Sequence, residues 1–313
     1  MAQIEVIKYS RELQSQLFPD NEFYKNSIVE ADLVDVAMAS VEIPIAGSIG
    51  AAKSGNPSLP LTPAARVDDK NSYAVDLLYC DPVIVRKNQD INMLSYNKLQ
   101  DVVRAQAGAL NTRAADIAAT NWATTTAAQI IRTSSTSTRN VAITGATGTR
   151  KRATKEDFIK ILTIFNRMNL PSRGFMNMFG LLTPDHVEDL FLIPEFVDAD
   201  KTGELSKLRN GEIANILGFT LRMRTNDLGT SGVLFDTAAA KKALGAAVAA
   251  TDCAGSIFWH RDLVRHAEGY ADVTIDGPRA DYLGGKLVTS TVRFGATISR
   301  TDQKGVAALV DAN

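Results

Sequence analysis

Cysteine is almost absent: the 313 residues contain only Cys80 and Cys253, far apart and with no ligand-type residues at metal-binding spacing. That excludes a disulfide-built scaffold and a cysteine zinc site. The pair reads as free thiols in a reducing compartment, a single bridge being the lesser alternative. Histidine is equally scarce. His260 and His266 stand six residues apart, too far to share a helical face as a metal pair. His186 falls at the start of a short helix, where a solvent-exposed side chain is expected. Neither sign of charge prevails, since 34 basic residues meet 35 acidic ones for a net charge of −1. A general electrostatic drive toward nucleic acid or anionic membrane is therefore excluded. No window approaches eighteen consecutive apolar residues, and the opening MAQIEVIKYSRELQSQLFPD has no apolar signal segment. Neither a helical membrane span nor export is expected. No internal repeat marks a solenoid or propeller.

Catalytic signatures are missing as well. There is no G-x-S-x-G elbow and no G-x-x-x-x-G-K-[ST] loop. Residues 141–143 read as a short strand ending in Thr144-Gly145-Ala146-Thr147-Gly148, which resembles the phosphate-binding turn of short-chain dehydrogenases. That turn needs a third glycine and a following apolar helix, whereas here Lys151 takes the third position and Thr149-Arg150-Lys151-Arg152 starts no helix. A Gly/Thr turn is the expectation. Cys253 reads as a small buried apolar group. The acid pairs Asp68-Asp69 and Glu156-Asp157 read as a solvated turn and a favourably placed helix first turn. Arg150-Lys151-Arg152, with Arg132 and Arg139 nearby, could touch phosphate but lacks interleaved aromatics, so solvated loop charge is the better reading. No enzyme, cofactor or metal site is expected.

What is present is 45% hydrophobic residues with 22% charged, enough for one large domain or two moderate ones. Residues 10–18 suit two turns of helix, stopped by Pro19, and the poorly periodic stretch to Asp32 suits an arm lying on something else. Between 33 and 45 lies a β-rich run. A Gly/Ala/Ser/Pro tract (46–65) follows, then Tyr73, Val75, Leu77 and Tyr79 at period two, continuing into Val83 and Val85. A strand, a loop of some twenty residues and a returning strand make an unusually long connection. One reading of it is a disordered linker; the other is a two-stranded arm, marginally stable alone, that reaches out and packs on a neighbouring subunit.

The longest helical signal runs from Asn92 to Trp122, through Leu99, Val103, Leu110, Ile117 and many alanines. A helix of that length spans roughly 40 Å. Thr154 caps an amphipathic helix to Met168, a strand covers 175–182, and Pro184 opens a short helix to Leu192. A charged, glycine-containing loop fills 194–212. The strand at 219–223 is expected to have one wet face bearing Arg222 and Arg224, and an Ala-rich helix is expected over 238–250. Strands at 256–259, 271–275, 287–299 and 306–310 complete an α+β pattern with mainly antiparallel strands.

This order resembles the major capsid proteins of tailed bacteriophages, the Hong Kong 97-type fold, over nearly the whole chain. Local phrases carry the likeness too: Leu170-Pro171-Ser172-Arg173 before a strand, Thr183-Pro184-Asp185-His186 opening a helix, Ile213-Ala214-Asn215-Ile216-Leu217-Gly218-Phe219 introducing the next strand, and Val292-Arg293-Phe294-Gly295-Ala296 near the end. The resemblance implies an N-terminal arm (1–32), an extended β-hairpin E-loop (33–87), a peripheral domain with the long spine helix (88–140 and 257–302) and an axial domain (141–256 and 303–313). It implies a subunit that assembles into hexamers and pentamers, an icosahedral shell around double-stranded phage DNA contacted non-specifically, with scaffolding and portal proteins as partners, no membrane, and assembly in the host cytoplasm. Assembly contacts would fall in the E-loop, at Lys53, Gly55, Pro57, Pro60 and Arg66, and in the loop facing the ring centre, at Lys201, Glu204, Lys207 and Arg209. Lys53 sits where some relatives form covalent cross-links, but a solvated lysine is the expectation. The chain starts almost at the arm, which implies a separate scaffolding protein or prior cleavage. An encapsulin shell and an NAD-binding enzyme built on Gly145–Gly148 are the alternatives.

Overall fold

Small side chains decide where the longest helix sits. The computed structural model describes residues 21–30, 40–47, 52–55, 66–85, 98–172, 176–197, 215–269 and 271–313. Helix α1, Lys98–Trp122, buries Ala114, Ala115, Ala118 and Ala119 near its C-terminal end. Alanine has no side-chain rotamer entropy to lose, and its size lets a sheet approach closely on either side. The stretch from Asn92 to Asn97 expected to begin this helix lies outside the described residues.

The strands, in chain order, are β1 (Ile28–Val29), β2 (Ser40–Ile45), β3 (Asp69–Ala74), β4 (Asp76–Tyr79), β5 (Val83–Val85), β6 (Ile130–Arg132), β7 (Thr138–Asn140), β8 (Thr149–Lys151) and β9 (Met178–Leu182). They continue with β10 (Asn215–Ile216), β11 (Phe219–Met223), β12 (Leu234–Phe235), β13 (Cys253–His260), β14 (Val264–Glu268), β15 (Asp272–Arg279), β16 (Gly285–Ile298) and β17 (Val306–Val310). The helices after α1 are α2 (Lys155–Arg167), α3 (Pro184–Phe191) and α4 (Pro194–Val197). Among the described residues the pairing is antiparallel except for β1–β14, β9–β11 and β6–β17.

One sheet is organised around the long strand β16. Tyr79 and Asp272 both pair with Thr291, and Asp76 and Glu268 both pair with Phe294, so β4–β5 and β14–β15 lie on opposite edges of β16. The second sheet has the order β10-β11-β9-β13-β17-β6. Its central strands alternate between two interiors: Phe179, Leu181, Ile257, Trp259, Val306 and Ala308 face a core shared with α1, while Met178, Leu182, Phe258, Ala307 and Leu309 face α2 and α3. A sheet covered on both faces has near-continuous apolar strands, which is why Met178–Leu182 and Val306–Val310 show no polar alternation.

Several expectations are corrected. Residues 21–30 do not lie apart from the body: Phe23 and Tyr24 are buried in the main core, with Phe23 meeting Trp122 and Trp259 edge-on at ring-centroid distances of 6.0 Å. Residues 238–250 form turns, not a helix. Asp236 accepts hydrogen bonds from the backbone N–H groups of Ala238 and Ala240 (both 2.8 Å), and Ala239 and Gly245 adopt positive φ. A local side-chain acceptor has outcompeted helical propensity. Lys241 there donates to the carbonyls of Thr120 and Ala123 (both 3.0 Å), placing a cation at the C-terminus of α1, which has no basic residue in its last turn. Arg224 is not on a wet face: it is 1% exposed, bonded to Asp116 and Asn21, and lies over the Phe23 ring. Residues 141–143 are not a strand; the chain turns there between β7 and β8.

The ribbon β2–β3 also has a root of its own. Val41, Ile43, Tyr73 and Val75 pack with Ala267, and Asn71 Nδ2 donates to the carbonyl of Ile298 at 2.8 Å. Because Phe23 fills the junction of two tryptophans, truncation to alanine is expected to cost roughly 3–5 kcal/mol. Chemical denaturation should show a matching drop in midpoint with the slope unchanged.

Candidate assembly site

Beyond the root, nearly all the described residues of the ribbon are exposed. Gly47 passes so close to the returning arm that a Cβ there would meet the Val67 carbonyl oxygen at 1.9 Å, so only glycine fits. The Gly47 N–H donates to Asp68 at 2.8 Å, and Arg66 reaches the same oxygen at 2.6 Å. Val67 is 79% exposed beside this cluster. Lys53 and Gly55 are exposed, Gly55 with a φ of +116°. Of the residues expected to make assembly contacts, these and Arg66 are described, and all three are exposed. Pro57, Pro60, Lys201, Glu204, Lys207 and Arg209 lie outside the described residues. Exposed ion pairs such as Arg66–Asp68 contribute little on their own, so the ribbon neck is set by backbone geometry more than by charge.

A second exposed surface escaped the sequence analysis. Leu77 and Tyr79 on β4, Val83 on β5, and Val273 and Ile275 on β15 are large apolar side chains left in solvent, Tyr79 at 68%. Period two had marked Leu77 and Tyr79 as alternate residues of one strand, the residues of one sheet face. The register shows which face that is: Leu78 pairs with Val292 and packs toward α1, while its neighbours project from the opposite face.

The basic cluster is not solvated loop charge. Arg139 is buried between Asp189, Asp311 and Asp185, its Nη2 donating to Asp311 at 2.5 Å and its Nη1 to Asp189. Arg150 is buried too, with four bonds to the carbonyls of Thr147, Thr149, Ala250 and Asp252. Arg152 bridges Glu188 and Asp189 at 2.8 and 3.1 Å, leaving Lys151 as the exposed member of the run. The network of Arg139, Arg150 and Arg152 ties the hairpin β7–β8 to α3 and to the residue after β17 as a structural clamp.

His186 belongs to the same network and is buried, contrary to expectation. Its Nδ1 lies 2.6 Å from Ser256 Oγ and its Nε2 3.1 Å from Asp311. The Ser–His–Asp order invites comparison with a hydrolase triad, but all three side chains are sealed from solvent, and Ser256 Oγ also accepts from the Thr183 N–H at 3.0 Å. No substrate carbonyl reaches it. Burial pushes the Cys253 thiol up, which keeps it an inert core group. The TGATG turn closes the β7–β8 hairpin and packs near Val248, without the strand–turn–helix context that a dinucleotide site requires.

With this geometry in place, comparison with known proteins is decisive. A family model described as phage capsid protein matches residues 31–310. The chain belongs to the phage capsid protein family. No curated protein sequence matches it. Among solved structures, the capsid of the cyanophage P-SCSP1u aligns with a TM-score of 0.67 at 14% identity, covering 97% of this chain and 92% of its own. Mycobacterium phage Che8 aligns with a TM-score of 0.66 at 16% identity, covering 98% and 97%. The capsid of a native GTA particle gives 0.63 at 12% identity, covering 99% and 96%. The fold is therefore of the Hong Kong 97 type, and this capsid protein is a structural shell component, not an enzyme.

The clamp makes its stability acid-sensitive. Burial opposes ionisation of Asp311, but His186 and Arg139 outweigh it and hold the carboxyl below its ordinary range. At Asp157 burial is outweighed by hydrogen bonds from Lys160, Ser134 and Thr154, and at Asp252 by Lys242 and the Ala249 N–H. Asp185, raised by burial despite Arg139, works in the opposite sense. Depressed carboxyls stabilise the fold above their unfolded pKa of 3.8 and lose that contribution as pH falls through the folded value. The urea midpoint is thus expected to fall steeply below about pH 4, and Asp157→Asn should flatten part of the decline.

Proposed function

We propose that this capsid protein is the major shell subunit of a tailed phage, assembling into hexamers and pentamers that close an icosahedral shell around double-stranded DNA. Residues 1–32 act as the arm, 33–87 as the E-loop, 88–140 with 257–302 as the peripheral domain, and 141–256 with 303–313 as the axial domain. The boundary at 256/257 falls within β13, so these two domains share a strand. Scaffolding and portal proteins are the further partners in this reading, and assembly takes place in the host cytoplasm.

The observation that carries the reading is the ribbon. Its root is packed on the chain's own sheet, while Lys53, Gly55 and Val67 project without cover. A neighbouring copy supplies the missing contact in this reading, with burial stabilising by about 25 cal/mol per Å² before association costs.

Replacing residues 46–67 with a short Gly-Ser turn keeps the β2–β3 pairing and removes the projection. Circular dichroism should show an unchanged fold, and electron microscopy should show no shells where the full chain forms them. Normal shells from the shortened chain would overturn the role given to the ribbon. Particles that carry nuclease-protected DNA together with portal protein support the phage reading over an enzyme-housing encapsulin.

A further inference from the structure

Between α1 and β15 lies a cleft of about 210 Å³, lined by Ala107, Asn111, Glu268, Val273, Val292 and Phe294 among others. The strand register fixes which face it is on. Val273 pairs with Ser290 and Ile275 with Val288, and directly opposed residues of an antiparallel pair share a face. Ser290 Oγ donates to Gln106 of α1 at 2.8 Å and Val288 is fully buried, so this is the face that carries α1. Helix α1 runs along β16, with Gln106 at the Val288 carbonyl and Asn121 at the Ala296 carbonyl, and β15 extends beside it. Val273 and Ile275 therefore stay 41% and 48% exposed among the described residues. The wall on the α1 side is low: Ala107, Asn111 and Ala114 stand in line at steps of four and three residues, leaving room for a further helix.

The described chain begins at one end of this cleft. Asn21 donates to Thr112 Oγ1 and accepts from Arg224, both at 3.1 Å, and Tyr24 donates to the lining residue Asn111 at 2.9 Å. Twenty residues precede Asn21. At about 100° per residue, Leu13, Leu17 and Phe18 gather on one side of a helical wheel with Glu12 opposite, and Pro19 ends the pattern. As a helix, residues 10–18 measure roughly 13 Å. Pro19 and Asp20 let Phe18 lie up to about 10 Å from Asn21, and Ala107 is about 7.5 Å back along α1 from Thr112. Ile275 lies nearer the N-terminal end of α1 than Val273, so a segment laid in that direction brings Leu17 to Val273 and Leu13 to Ile275. The spacings agree, since residues four apart on a helix are separated by about 6 Å and alternate residues of a strand by about 6.7 Å.

We propose that residues 10–18 dock as a helix in the α1–β15 cleft of their own chain, Leu17 over Val273 and Leu13 over Ile275. A helix this short does not persist alone in water, so it forms as it docks. Among the described residues β15 pairs only with β16, and an apolar strand edge left bare invites indiscriminate association. The docked segment closes that edge. It is a property of the single subunit and goes beyond the shell reading without resting on it.

Cross-linking in unassembled, full-length subunits tests the docking. In a Cys80→Ser background, Leu17→Cys with Val273→Cys should oxidise to a bridge within one chain, seen as a faster monomer band on a non-reducing gel. Its yield should be about fivefold above that of Glu12→Cys with Val273→Cys, whose first site faces away. Covalent dimers in place of the fast monomer would put another copy's segment in the cleft and sink the proposal, as would a yield no higher than the control's. A second variant leaves the cleft residues intact. Leu13→Glu with Leu17→Glu should speed amide hydrogen exchange over residues 271–276 about threefold or more, while Glu12→Lys leaves it unchanged. Exchange in the double variant as slow as in the parent would reject the docking. Either rejection leaves the shell reading standing, and a chain that docks its segment yet never forms shells would reject that reading alone.

Discussion

The fold depends on how closely α1 can approach two sheets at once. Its C-terminal half places Ala114, Ala115, Ala118 and Ala119 against strands from both, and Trp122 then fills the wider space beyond, 5.4 Å between ring centroids from Trp259. Larger residues at the alanine positions would hold the sheets apart and strand Phe23, Trp259 and Phe294 without partners. The aromatic cluster, the docking of residues 21–30 and the burial of Arg224 all follow from that approach.

Polar groups inside the protein obey the same economy of space. The clamp around Arg139 gathers charges from three separated stretches of chain, and each member is satisfied only while the others stay in place. Such a network adds less stability than well-packed apolar residues would, but removing one member leaves an uncompensated charge in the interior. Its value lies in specifying one arrangement of the hairpin, helix and final strand.

Much of the architecture could be read from the chain. Period-two residues pointed to β3 and β4, Thr154 and Pro184 marked the starts of α2 and α3, and the order of elements pointed to the capsid fold. Where the reading of single residues failed, the cause was a partner distant in sequence. Arg224 and His186 look like surface residues until Asp116 and Asp311 are brought to them. Phe23 and Tyr24 sit in an aperiodic stretch whose burial is decided by Trp122 and Trp259, 99 and 236 residues later than Phe23. The Ala-rich stretch 238–250 misled for the opposite reason, since one local side chain, Asp236, captured the backbone. The exposure of Leu77 and Tyr79 was not legible, because which face of β4 is covered depends on its register with β16.

Strand β13 bears on how the protein can move. All eight of its residues are buried, and successive side chains belong to different interiors, Ile257 and Trp259 to one and Phe258 to the other. Bending between those interiors would have to unzip a ladder bonded on both sides, to β9 and to β17. The sheet therefore ties the two interiors into one unit, since neither can shift without disturbing a strand that both share.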